Sequence, residues 1–133
     1  MSKLRGIDAL KALADWNKNE TKELTLSLDG KDVCFTMKKL TDAENMAAID
    51  AITKDGASSK DIDKANIRVI LAGISEPCFS GTEFLNEMGC ADGEEAVMRL
   101  LPVGLRAKLT DKILEFSGAH GGVFEEALTE AKN

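Results

Sequence analysis

The fold is decided by Ser58-Ser-Lys-Asp-Ile-Asp-Lys-Ala-Asn-Ile-Arg-Val-Ile-Leu-Ala-Gly-Ile-Ser-Glu-Pro77. Ile62, Val69, Ile70 and Ile74, with Ile67 and Leu71 beside them, keep the three-and-four spacing of one helix face. That spacing predicts a central helix, largely buried. Ser58 offers a hydroxyl to the orphan amides of the first turn, and Asp61 a carboxylate to the positive end of the dipole. The helix is expected to end at Glu76-Pro77, because proline drives the preceding residue out of helical backbone.

Working outward toward the C-terminus, Ser80 with Glu83 and Asp92 with Glu95 repeat the capping signature and open two short helices. Phe84, Leu85 and Met88 form the apolar side of the first, with Gly89 as a left-handed stop. Val97, Leu100 and Leu101 face inward from the second, which Pro102 closes. Leu105, Leu109, Ile113 and Phe116 then define a further helix up to Gly118. The segment from Asp61 to Ser117 therefore holds most of the core.

Toward the N-terminus, Thr41 and Glu44 start a helix through Ile52, with Gly56 as its expected stop. Before it, Leu24, Leu26 and Leu28 alternate with polar residues, as do Val33, Phe35 and Met37, and Asp29-Gly30 separates the two runs. This is a β-hairpin, since Asp-Gly suits a turn that needs positive φ. Two strands alone are marginal in water and no third strand is evident. The free edge, Leu24 to Leu28 or Val33 to Met37, is therefore expected to mediate self-association. Residues Asn17 to Lys22 read as a loop, preceded by a helix carrying Ile7, Leu10, Leu13 and Ala14.

The expected class is α+β, mostly α, with an N-terminal hairpin packed on about five to seven short helices. A chain of 133 residues suits one domain with one core. Residues 1–40 would supply the first helix and hairpin, 41–118 the helical core, and 119–133 a connector and short helix. A formal charge of −6 argues against nucleic acid or an anionic membrane as partner, since both demand clustered Lys and Arg. The sequence contains no run of about 18 apolar residues and no export signal, which points to the cytoplasm.

Chemistry is sparse. Cys34, Cys78, Cys90 and His120 stand 44, 12 and 30 residues apart, unlike metal ligands, which come in close pairs. The cysteines read as small apolar core or semi-core residues. Glycines surround His120, the sole histidine, and a general base needs firmer support. Composition and periodicity thus end at a small, acidic, mostly helical domain for which no metal or cofactor is expected.

Several landmarks keep a distinctive order. They are Met1-Ser-Lys-Leu4, then Phe35-Thr-Met-Lys-Lys-Leu-Thr41 with Glu44, then Ile74-Ser-Glu-Pro77 and Phe84-Leu85 with Gly89. Leu100-Leu-Pro102 with Gly104, Ile113-Leu-Glu-Phe-Ser-Gly118 and Lys132-Asn133 complete the series. In this order the chain resembles the XkdN-like tail assembly chaperones of tailed bacteriophages and prophages. The resemblance implies a non-enzymatic protein of the bacterial host cytoplasm that binds the tape measure protein during tail morphogenesis. It also implies a longer form of the chain made by frameshifting near the C-terminus. The readings from other classes are a small cysteine-dependent enzyme using Cys90 or Cys78 with His120, and a regulatory protein-binding module.

One expectation concerns the C-terminal segment. Phe124, Ala127, Leu128 and Ala131 form a narrow apolar stripe at helical spacing, with Glu125, Glu126 and Glu130 on the other side. A helix this short needs a surface to dock on, because isolated helices under roughly 12 to 15 residues are marginal. The partner is the expected surface, and the chain's own domain is the alternative.

Overall fold

The computed structural model describes residues 3–18 and 21–118. Among these the elements are α1 (Gly6–Lys18), β1 (Thr21–Leu28), β2 (Lys31–Lys38), α2 (Asp42–Thr53), α3 (Ser59–Gly73), β3 (Ile74–Glu76), α4 (Thr82–Met88), α5 (Gly93–Leu100) and α6 (Val103–Phe116). The class is α+β and mostly α, as expected. The stretch read as a loop at Asn17 to Lys22 is shorter than that, since α1 runs to Lys18 and β1 begins at Thr21.

The hairpin forms for the reason its sequence gives. Asp29 (φ 51°) and Gly30 (φ 77°) both have positive φ, as a two-residue turn matched to the strand twist requires. Leu24 then pairs with Phe35 and Leu26 with Val33, so the apolar residues of both strands share one face. On that face Phe35 and Met37 are buried.

A third strand exists, contrary to expectation. β3 pairs antiparallel with β2, placing Glu76 opposite Thr36 and Ile74 opposite Met37 across a register irregularity. The Ser75 hydroxyl donates to the Thr36 carbonyl at 3.3 Å. β3 therefore occupies the Thr36–Met37 end of the β2 edge, and β1 and β3 are the two outer strands of the sheet.

β3 takes residues that the sequence pattern assigned to the central helix. That helix, α3, stops at Gly73 and not at Glu76-Pro77. At Gly73 the α6 helix comes so close that a Cβ would lie 2.4 Å from Ile113 Cγ2. Its start is as expected: the Ser58 hydroxyl accepts from the Asp61 amide at 3.1 Å, and the Asp61 carboxylate accepts from the Ser58 amide at 3.3 Å. Thr41 and Glu44 make the same reciprocal pair at α2, which closes at Thr53, with Gly56 in the turn beyond.

Two short helices depart in detail from their signatures. The N-cap of α4 is Gly81, with no side-chain cap. Ser80 turns instead toward Gly93, where a Cβ would sit 2.4 Å from its hydroxyl oxygen. At α5 the Asp92 carboxylate does accept from the Glu95 amide, at 2.9 Å, but Glu95 reaches back to Ala91 and not to Asp92. Ala96, Val97 and Leu101 enter the core, whereas Leu100, expected inside, is exposed.

The core lies between α3 and α6, where Ile70, Leu109, Ile113 and Val97 are fully buried. Arg106 enters the same region from α6. Its guanidinium grips Asp63 of α3 through two parallel hydrogen bonds of 2.9 and 2.8 Å and donates to the Leu101 carbonyl at 2.6 Å. One side chain thus joins α3 to α6 and satisfies an orphan carbonyl at the end of α5.

Candidate functional site

The thiols do not form a site. Cys34 and Cys78 are exposed and Cys90 is half-buried, so two of the three are not the core residues expected. Alternation explains Cys34: it lies between Val33 and Phe35, so it points away from the helices, with its sulfur 3.3 Å from the Thr25 hydroxyl. Cys90 accepts from Arg99 at 3.4 Å, beside a 3.0 Å bond from Arg99 to the Gly89 carbonyl. His120 lies outside the described residues, as do Phe124, Glu125, Glu126, Ala127, Leu128, Glu130 and Ala131. Among the described residues no group of histidines, cysteines and carboxylates is arranged to hold a metal ion, and no helix is long and apolar enough to cross a membrane.

Among the described residues, exposed apolar side chains gather on α1 and on the face of β1. The first is α1. Leu4, Ile7, Leu10 and Leu13 step three residues at a time along this end of the chain, and all four are exposed, Ile7 at 71% and Leu10 at 66%. Ala9 and Trp16, seven residues apart and hence on one side of the helix, are its half-buried positions. The Lys39 ammonium sits 3.4 Å from the centroid of the Trp16 ring, donates to the Trp16 carbonyl, and lies 5.3 Å from the centroid of Phe116. Burial holds the Lys39 pKa below its ordinary value. The helix is therefore pinned at its C-terminal end, and Ile7, Leu10 and Leu13, which continue the apolar side around from Ala9 and Trp16, are exposed.

The second is the face of β1. α3 and α6 pack against β2, where Phe35 and Met37 are buried, whereas Leu24 and Leu26 of β1 meet the core only in part among the described residues. Leu24 and Leu26 are half-buried and Leu28 is 63% exposed. Two hollows of about 540 and 390 Å³ lie along this strand and the neighbouring side of α6. Leu24, Trp16 and Phe116 line one, with Lys22, Lys112 and Glu115. Leu26, Leu28, Leu100 and Leu105 line the other, with Lys108. Lys108 and Lys112 are one helical turn apart on α6, so the two hollows are neighbours along the side of α6 that borders β1.

Sequence periodicity located the apolar side of α1 but carries no information about what covers it. Arg106 was missed altogether, although its spacing of three, four and seven from Leu109, Thr110 and Ile113 places it on the buried side of α6.

Among the described residues, then, apolar side chains stand exposed on α1 and on the face of β1, and no metal-holding group is assembled. No match is found among curated proteins. Among solved structures, the crystal structure of the protein yqbn is similar, with a TM-score of 0.49 and 20% identity over 74% of this chain and 87% of that one. Residues 8–132 match the family model described as phage XkdN-like tail assembly chaperone protein, and this chain belongs to that family.

Proposed function

We propose that the protein is a non-catalytic chaperone that holds the tape measure protein in the host cytoplasm during tail assembly, and that the outward side of α1 is the holding surface. The observation that carries this reading is the exposure of Ile7, Leu10 and Leu13 on a helix fixed to the body at Trp16, with Leu4 exposed just ahead of it. Contiguous exposed apolar surface is costly in water and marks interaction sites on soluble proteins. Asp8, Lys11 and Asp15 border the row with charges of both signs, so apolar fit and not net charge would select the occupant. An amphipathic helix of the client, laid along α1, satisfies that requirement. Self-association, where it occurs, would use the outer edge of β1, and a frameshifted longer form would keep α1 unchanged.

Co-expression with the tape measure protein, followed by affinity purification, tests the assignment. The wild-type chain should carry the client with it. The paired change Ile7→Asp and Leu10→Asp should release the client while leaving the chain folded, and retention of the client by that folded variant would refute the assignment of α1.

A further inference from the structure

We propose that the outer side of α3 is a docking row for an acidic helix of a partner protein, read by Lys60, Lys64 and Arg68 together with Lys54 at the end of α2. This reading is independent of what α1 binds.

Charge carries the argument. In a chain of net charge −6, Lys60, Lys64 and Arg68 fall at i, i+4 and i+8 of one helix, where side chains of like sign stand over one another and weaken the helix. All four cations are exposed, and among the described residues none of them makes an ion pair. The carboxylates around them are engaged elsewhere: Asp63 holds Arg106, Asp61 caps α3 and Glu44 caps α2. Lys54 belongs with the others, because the Asp61 carboxyl is lowered by the Ser58 amide and hydroxyl and, after these, by Lys64 and Lys54. An anionic partner laid along the row relieves the repulsion that the free helix carries.

Shape selects a helix as that partner. Hollows of about 190, 290 and 200 Å³ adjoin along α3, and Arg68 lines all three. Ala47, Ala51, Ala65 and Ala72 line the first, so on the α2 side another backbone can approach closely. Lys60 to Arg68 spans about 12 Å at 1.5 Å per residue, the length over which a second helix presents carboxylates at i, i+4 and i+8. A nucleic acid duplex or a bilayer would extend past so short a row and set its phosphates against Glu44 on one side and Glu94 on the other.

The test uses the full-length chain and two labelled alanine-based peptides of about 16 residues, long enough to form helices. One carries glutamate at every fourth position, and its isomer carries the same glutamates distributed around the helix. Fluorescence anisotropy at low salt should show the aligned peptide binding at least about tenfold more tightly than the isomer, and weakening as salt is raised. Lys64→Glu with Arg68→Glu should abolish the preference, whereas Lys31→Glu with Lys38→Glu, the same change of charge on β2, should preserve it. Lys64→Gln with Arg68→Gln should also lose it while the thermal midpoint stays unchanged or rises, which separates the loss from unfolding. Ile7→Asp with Leu10→Asp should bind as wild type does. No binding, equal affinity for the two peptides, equal losses from the α3 and β2 reversals, or loss in the Ile7 and Leu10 variant would overturn the row. Tighter binding after truncation at Gly118 would assign the row to the chain's own Glu125, Glu126 and Glu130 and overturn the partner reading as well.

Discussion

α1 and α6 are both amphipathic helices of similar length, and they meet opposite fates. In α6 the periodic side carries Leu109, Ile113 and Leu114 into contact with α3 and is buried. In α1 an equally regular side carries Ile7, Leu10 and Leu13 into solvent. An apolar stripe specifies that a helix requires a partner, and says nothing about whether that partner lies in the same chain. The contrast separates two kinds of substitution, those that break the α3–α6 pairing and those that strip α1 without disturbing it.

The largest effect belongs to Arg106→Ala. Removing the guanidinium leaves Asp63 with its charge unpaired and the Leu101 carbonyl without a donor. Breaking one side of such a pair costs about 3–5 kcal/mol, and urea denaturation should show a loss of that size. Asp63 keeps 22% of its side-chain surface exposed, so water will temper the effect toward the lower figure.

Gly73→Ala should follow. The added methyl group lands on Ile113, and overpacking of this kind costs about 1–3 kcal/mol. Combining it with Ile113→Ala, which removes the Cγ2 that the new methyl meets, should cost less than the sum of the two single changes, a non-additive result that a double-mutant cycle would record.

Ser58→Ala should cost about 1 kcal/mol, the usual value of an N-cap. The same cap has a pH signature. The Ser58 amide and hydroxyl hold the Asp61 carboxyl below the usual carboxylate range. A carboxyl whose folded pKa lies below its unfolded one stabilises the fold above the unfolded pKa, about 3.9 for Asp. That contribution is lost as pH falls through the folded value. The stability difference between wild type and Asp61→Asn should therefore be constant near neutrality and shrink below about pH 4.

The smallest effect is expected for Leu10→Asp. Because Leu10 is exposed, stability should change by no more than about 0.5 kcal/mol. A large loss of stability would mean that α1 packs on the domain through more than Trp16.

The parts of this fold that were legible in sequence are those whose causes are local. Asp29-Gly30 needs no distant partner to turn a chain, and Thr41 with Glu44, or Ser58 with Asp61, closes its bonds within one helical turn. The parts that were not legible depend on contacts distant in sequence. α3 ends at Gly73, and the chain passes straight into Ile74–Glu76, which pairs with a strand some forty residues earlier in the chain. Ile74 to Glu76 is too short to announce itself as a strand and becomes one only because β2 offers an edge. Ser80 lies against Gly93, and Gly81 takes the capping position of α4. The candidate surface on α1 was half legible: its residues could be named from spacing, but their exposure could not. The acidic C-terminal stripe was nameable for the same reason and lies outside the described residues.

The central claim is that α1 is the surface that holds the client. Hydrogen exchange on the purified protein, with and without the tape measure protein, measures this directly. The account predicts that amides of residues 7–16 exchange at least about tenfold more slowly in the complex, while those of α3 and α6, already protected by the core, are unchanged. Complex formation with no slowing in α1 would contradict it.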